Sequence, residues 1–415
     1  MIIRNTCRVC EGALTPILSL GDHFVSNFLP PDEPDGLRAP LELVLCRRCN
    51  LLQLRHTVDA SQMYVNYWYR SGTNQTMRNA LADIAHKAEQ LIPLHAGDAV
   101  LDIGCNDGTL LGAYQTGGLV KIGVDPARNL APIARQICDV HVNDFFTAAA
   151  LQEAGITARP KVITSIAMFY DLEDPRAFVA DIAATLDPDG LWVVQQAYLP
   201  SMLRTNEVGN ICHEHLEYYS LGSLTYLLDL FDLEVVDVEL NDINGGSFRT
   251  YVRPKGARAE DFGDPTYRAL AAERVAAMRA DETRLKLDDI SPYTEFAFWV
   301  ERLKQDVVGF IEREVAAGKR VYVYGASTKG NTLLQYFGLD RRLIVAAAER
   351  NAEKWGLETV GTRIPIVSEA EARAANPDYF LVLPWHFIEE FQAREKPYLL
   401  GGGRFILPMP RFSLL

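Results

Sequence analysis

Asp98-Ala-Val-Leu-Asp-Ile-Gly-Cys-Asn-Asp-Gly-Thr-Leu-Leu111 is a short apolar run, a glycine-containing turn and a helix start in immediate succession. That order reads as strand, loop and helix. Moving outward, Val120-Lys-Ile-Gly-Val-Asp125 and Val140-His-Val142 are two further strands, with a helix expected over 127–138 and Asn143-Asp-Phe-Phe146 after them. Lys161-Val-Ile-Thr-Ser-Ile-Ala167 and Gly190-Leu-Trp-Val-Val-Gln195 are buried-strand candidates on either side of a helical Pro175 to Leu186. Strands alternating with helices imply a parallel sheet covered on both faces. The unit closes differently: 233–240 and 247–253 are strand-like and joined through Asn244-Gly-Gly246, a sequence that favours a hairpin.

A parallel sheet that ends in an antiparallel strand resembles the class I S-adenosylmethionine (SAM) methyltransferases. The glycine loop agrees. A dinucleotide fingerprint needs three glycines and a helix N-terminus facing a pyrophosphate. This loop offers only Gly104 and Gly108, and its Asp102 and Asp107 would repel phosphate. SAM carries no phosphate and presents a cationic amine and sulfonium. The resemblance implies that Asp102, Gly104, Asn106 and Gly108 form the cofactor loop. It also implies that Asp125 accepts from the ribose hydroxyls, and that Asp144, with Phe145 beside it, reaches the adenine amino group.

At the N-terminal side, Cys7, Cys10, Cys46 and Cys49 make two CxxC pairs. Two such knuckles complete a tetrahedral thiolate shell that suits structural Zn2+, because no coordination position stays open for water or substrate. The proline-bearing loop between the pairs would gain its order from the metal. Cys105, Cys138 and Cys212 stand alone and read as small packing residues.

Two segments are dense in reactive groups. Asn210-Ile-Cys-His-Glu-His-Leu-Glu-Tyr-Tyr-Ser220 follows a parallel strand at the end where open α/β sheets bind ligands. Its histidines flank one glutamate, so it is not the HExxH of a zinc protease. An imidazole tuned by a carboxylate suits removal of a proton beside a carbonyl. Upstream, Tyr64-Val-Asn-Tyr-Trp-Tyr-Arg-Ser-Gly-Thr-Asn-Gln-Thr-Met77 leads into a helix over 74–91. Tyr67, Tyr69, Arg70, Ser71 and Asn74 with the adjoining Gln75 supply donors for a polyol and a phosphate.

Residues 257–316 read as mostly helical. Arg320-Val-Tyr-Val-Tyr-Gly325-Ala-Ser-Thr-Lys-Gly330 then starts a second α/β unit, with further strands at 343–346 and 378–384. Its loop and helix N-terminus make an anion site from backbone amides, with Ser327, Thr328, Lys329 and the Trp385-His386 pair as candidates. A Walker spacing is absent.

In this order, CxxC twice, a Tyr-rich run into SGTNQTM, DIGCNDG and HEHLEYYS resemble the nucleotide-sugar C-methyltransferases over essentially the whole chain. The resemblance implies a zinc-binding domain over 1–75, a SAM-binding domain over 76–254, and a helical bridge with a nucleotide-binding Rossmann-like α/β domain over 255–415. It implies methylation at the carbon beside the ketone, usually C3, of a nucleotide-linked 4-keto-6-deoxy sugar. His215 would be the base and Glu214 its partner, while His213 and Tyr67 or Tyr69 contact the sugar. A departure falls at Met168-Phe-Tyr-Asp171, where several relatives carry histidine and Tyr170 or Asp171 takes the place. An O- or N-methyltransferase on a sugar or other small molecule shares the cofactor loop and is the competing reading. A dehydrogenase lacks its third glycine, and a zinc-ribbon adaptor leaves HEHLEYYS unexplained.

Bulk properties set outer limits. The 415 residues, 48% apolar and 23% charged, have room for several domains. A net charge of −13 argues against general nucleic-acid binding. No leader pattern or long apolar window is present, so a cytoplasmic protein, monomeric or a small homo-oligomer, without membrane or nucleic-acid partners, is expected.

Overall fold

The computed structural model describes residues 1–415 apart from Asn66. Its central sheet runs in the order Leu233–Asn241, Ser247–Pro254, Leu191–Ala197, Val162–Ile166, Ala99–Ile103, Val120–Val124, Val140–Val142. The last five in that order are mutually parallel. Ser247–Pro254 is antiparallel to both its neighbours, as the hairpin implies. Left-handed Gly245 (φ 87°) and Gly246 (φ 116°) make that turn possible. Ala99–Ile103 lies between strands reached in opposite directions, so the loop after it occupies the topological switch point of the sheet.

The strand Ala99–Ile103 is buried at every position, its one charged side chain, Asp102, being satisfied by the Thr164 hydroxyl at 2.6 Å. Helix Gln75–Leu91 is capped by Asn74, whose side chain accepts from Thr76 N, and it buries Leu81, Ile84, Ala85, Ala88 and Leu91 at helical spacing. Helix Pro175–Thr185 begins with the Asp174 cap and a proline in its first turn.

Two expectations fail for local reasons. The helix over 127–138 is a single turn, Ala131–Ala134. Pro132 supplies no amide, and bonds such as Leu130 N to Ala127 O and Gln136 N to Ile133 O are turn-like. The strand at 343–346 lies instead at Ala347–Glu349. The Asp340 carbonyl accepts the amides of Leu343 and Ile344, and its carboxylate holds Arg342 N, so those residues are spent on a turn.

The second large sheet has the order Ile366–Ser368, Ala347–Glu349, Val321–Tyr324, Tyr379–Val382, Arg404–Leu407, Ser413–Leu414, parallel up to its final pair. Two long helices, Pro265–Leu285 and Ser291–Ala316, connect the sheets. The second buries Tyr293, Phe296, Val300, Leu303, Val307 and Phe310 in one core with Leu41 and Leu43 of the N-terminal part and Val321 and Leu333 of the C-terminal part. Among the described residues no helix is long and apolar enough to cross a membrane.

The N-terminal sheet contains a strand from elsewhere. Its order is Glu217–Tyr218, Leu52–Leu54, Arg38–Cys46, Leu14–Phe24, so the end of the HEHLEYYS segment pairs with the cysteine-bearing module.

Gly123 gives a direct check of the central packing. A Cβ there would lie 2.7 Å from Cys138 Sγ and 2.8 Å from Cys105 Sγ, both packed against the switch-point loop. Gly123→Ala is expected to destabilise by about 1–3 kcal/mol, read as a lower urea midpoint, with partial rescue by Cys138→Ala.

Candidate active site

A cavity of about 500 Å³ lies over the carboxyl ends of the central strands and is walled by all three parts of the chain. Its floor is the glycine loop. Gly104 takes φ 72°, and a side chain at this position would meet Met168 at 3.1 Å. Asp102, Gly104, Asn106, Asp125, Asp144 and Phe145 all line it. Asp125 ends the second strand and accepts the amides of Asn106 and Ala127, each at 2.8 Å. Burial pushes the Asp102 carboxyl up to about 7 and raises that of Asp125. Asn106 also bonds outward: its Oδ1 accepts Ser71 N and its Nδ2 donates to Tyr69 O. The loop thereby holds the aromatic segment above it. Asp107 strengthens the clamp through Gly72 N at 2.9 Å and Arg70 Nε at 3.3 Å.

Gly108 is not in the cavity. It turns the chain at φ 80° into the helix Thr109–Gly112, with Ile137 packed over it. Its left-handed backbone, not ligand approach, is what requires glycine there.

His215 and Glu214 line the cavity, with Tyr170 against the imidazole at a ring separation of 4.3 Å. The His215 Nδ1 lies 2.9 Å from the carbonyl of Asn210. A carbonyl only accepts, so Nδ1 carries the proton and Nε2 keeps its lone pair. Burial, helped by the Lys329 ammonium, holds this imidazole well below its usual 6.5. Burial pushes the Glu214 carboxyl up to about 7, with Lys329 opposing. Asn210 is a hub: its side-chain oxygen accepts Lys329 Nζ at 2.7 Å, and its backbone oxygen also receives the Tyr218 hydroxyl at 3.3 Å. Burial raises the Tyr67 hydroxyl well above 10 and that of Tyr69 to about 12, so both remain proton donors.

His213 does not join them. Its Nε2 faces the Ala39 carbonyl at 3.0 Å, it is buried away from the cavity, and burial lowers it to about 4. A tight turn, His215 N to Cys212 O at 3.1 Å, breaks the extended alternation that would put both histidines on one side. Asn74 is spent on capping its helix, and neither it nor Gln75 lines the cavity. Arg70 lines a second cavity instead.

That second cavity, about 430 Å³, shares Tyr67, Tyr69, Glu214, Ser327 and Thr328 with the first. Trp68, Asn351 and Lys354 are among its other walls, together with the acidic Glu33, Asp35 and Glu349. Ser327 caps helix Thr328–Phe337 by accepting Gly330 N. Ser327, Thr328, Lys329 and His386 all border the main cavity, where burial and Lys329 lower His386 to about 4. One lining acid carries no signal in sequence: Glu207, bonded by Trp385 Nε1, sits in a patternless stretch. Tyr64, which opens the aromatic run, lines the cavity as well. Asp171, the possible substitute for a histidine, lines the cavity with one oxygen unbonded, its carboxyl raised by burial and by Glu214.

Cys7, Cys10, Cys46 and Cys49 bring their sulfurs within 4.8 Å of one another. Pairs at 3.5 Å (Cys7, Cys49) and 3.3 Å (Cys10, Cys46) sit near the roughly 3.8 Å edge of a tetrahedron with 2.3 Å metal–sulfur bonds. Gln53 Nε2 donates to Cys7 Sγ at 3.2 Å. The donor set fits a tetrahedral thiophilic ion.

Sheet order, reversed strand and glycine loop at the switch point define a class I SAM methyltransferase. Family models match residues 7–64 (putative zinc binding domain), 73–238 (methyltransferase domain) and 242–410 (C-methyltransferase C-terminal domain). The chain is 33% identical over 411 residues to the C-methyltransferase NovU of Streptomyces niveus, covering 98% of this chain and 96% of that one. It is 30% identical over 100 residues to a ubiquinone biosynthesis O-methyltransferase of Bradyrhizobium sp. (strain ORS 278), 24% of this chain and 40% of the other. Among solved structures it is similar to the N-methyltransferase NodS of Bradyrhizobium japonicum WM9, with TM-score 0.33, 15% identity, and 44% and 98% of the two chains covered. The chain belongs to the C-methyltransferase family.

Asp125→Ala removes an acceptor that faces the cavity and also orders Asn106 N. It is expected to weaken S-adenosylhomocysteine binding by about tenfold or more by titration calorimetry, a loss of at least ~1.4 kcal/mol.

Proposed function

We propose that the protein transfers the methyl group of SAM to the carbon beside the ketone, C3 in the first instance, of a nucleotide-linked 4-keto-6-deoxy sugar. The observation that carries this reading is His215. Its protonated Nδ1 is tied to the Asn210 carbonyl, and its ring borders a cavity that also contains the glycine loop and Lys329. Transfer to oxygen or nitrogen needs no carbon-acid base, whereas transfer to carbon does. NovU, similar over nearly the whole length, is named a C-methyltransferase.

The two joined cavities support the substrate class. One has room for the sugar beside the cofactor loop. The other lies at the N-terminus of helix Thr328–Phe337, whose first amides suit a diphosphate, with Trp68, Asn351 and Lys354 around the space left for a nucleoside. We assign Zn2+ to the four cysteines as a structural ion that orders the first module.

Bound SAM supplies an electrophilic methyl whose sulfonium leaves as a neutral thioether. The chain's part is to make and place the carbon nucleophile. His215 Nε2 takes the proton alpha to the ketone, and the C–H electron pair passes to the carbonyl oxygen as an enolate. The donors that border the cavity and could stabilise that charge are Lys329 and the hydroxyls of Tyr67 and Tyr69, whose protons burial retains. Beyond making the enolate, the cavity's task is to hold the two carbons at reacting distance, since orientation alone can account for much of the acceleration.

Incubation with SAM and a panel of dTDP- and GDP-linked 4-keto-6-deoxy sugars is expected to give a gain of about 14 Da, one CH2 added, with the methyl located by NMR on the carbon next to the ketone. His215→Ala should abolish it. A methyl on oxygen or nitrogen, or binding of cofactor without turnover of any keto sugar, would sink the substrate and base assignments.

The pH profile separates the two candidate bases. With His215 held below 6.5, the free enzyme keeps a neutral imidazole at neutral pH, so kcat/KM is expected to fall only below pH 6.5. A fall through pH 7 that is lost in Glu214→Gln would name the carboxylate instead.

A further inference from the structure

We propose that Arg8 and Glu217 are positioning residues: their buried pair locks the register of the short strand that follows His215. The inference rests on the reading of His215 as the base. Arg8 stands inside the first cysteine knuckle, Cys7-Arg8-Val9-Cys10. Glu217 lies two residues beyond His215, in the strand Glu217–Tyr218. Their side chains are 0% exposed, with Arg8 Nε 3.5 Å from Glu217 Oε1. Neither residue borders the cavities, so neither is a catalytic residue.

The strand needs such a device. It has only two paired positions, Glu217 with Gln53 and Tyr218 with Leu52, helped by Leu54 N to Leu216 O at 2.8 Å. Side chains alternate along a strand, and a one-residue slip turns every one to the opposite face. A slip would exchange Glu217 for Leu216 or Tyr218 opposite Arg8 and carry His215 away from Asn210. Arg8 cannot follow such a slip. Its guanidinium is fixed to the Leu54 carbonyl, Gln53 Oε1, the Thr57 hydroxyl and Glu173. Gln53 in turn donates to Cys7 Sγ, so the same residue touches the cysteine cluster with its side chain and pairs with the strand through its backbone.

The pair is costly on its own terms. Neither oxygen of Glu217 nor the facing Arg8 Nε has a hydrogen-bond partner among the described residues; burial raises the Glu217 carboxyl well above its usual range, and Arg8 opposes that rise. Apolar residues of similar volume would commonly serve stability as well, and the best-attested reason to keep a buried pair of this kind is that it fixes register.

The test uses Glu217→Gln and, in case that variant is altered in fold, the double change Arg8→Met with Glu217→Leu. Zinc content and S-adenosylhomocysteine affinity are measured beside kcat and the 15N spectrum of the His215 ring, assigned with His215→Gln. Both variants are expected to keep one metal per chain and near-parental cofactor affinity. Their kcat is expected to fall on the order of 10²-fold, as for a base displaced by about 1 Å, and His215 to lose its single Nδ1–H tautomer. An unchanged tautomer with unchanged kcat overturns the proposal. So does loss of metal or cofactor affinity in step with activity in both variants, which would make the pair merely structural. The tautomer is read without substrate, so failure of the parent to methylate any keto sugar counts against the proposed function and leaves this test decisive.

Discussion

Two backbone-paired residues, Glu217 and Tyr218, join the segment bearing the imidazole to the sheet built on the cysteine knuckles. Without this junction the chain would hold a cofactor fold and a small metal module side by side. With it, His215 sits where the two meet, and the aromatic segment 67–71 closes over the glycine loop through Asn106 and Asp107. The C-terminal sheet completes the wall by sending Lys329 to Asn210, the residue whose carbonyl fixes the imidazole tautomer. Three segments far apart in sequence therefore meet at one histidine.

The electrostatics of the cavity follow from burial. Asp171, Glu207 and Glu214 border it with carboxyls raised by desolvation, while Lys329 opposes the rise at each of them. Gathering these groups out of water is unfavourable for folding, and such clusters are typical of sites where charge is redistributed during reaction. An anionic, hydroxyl-rich substrate would meet one cation, a helix N-terminus and several protonated donors. Those partners suit a phosphate at one end and a developing enolate at the other.

Much of this was legible in the residues. The strand and loop at 98–108 show because an uninterrupted apolar run meets a glycine that must be left-handed, and the closing hairpin shows because Asn244-Gly-Gly246 has few alternatives. The cysteine spacing announces its cluster directly. Long-range choices were not legible. That Glu217 pairs with Gln53, 164 positions earlier, depends on a sheet edge that local sequence does not describe. His213 and His215 look equivalent until a turn at Cys212 separates them, and Glu207 has no pattern around it at all. Pro132 lies in plain view in the 127–138 segment, and the helix there is limited to the single turn Ala131–Ala134. The substrate-side residues are the least legible group, because they come from loops whose meeting is set by tertiary packing.

The central claim is that this chain makes a carbanion before any methyl moves. Its most direct test is to hold the protein in D2O with a 4-keto-6-deoxy nucleotide sugar and S-adenosylhomocysteine, and to follow the sugar by NMR. One deuteron entering at the carbon next to the ketone, with no methyl transferred, is the predicted result. If that hydrogen stays in place while SAM supports methylation of an oxygen or nitrogen, the account of the site is contradicted.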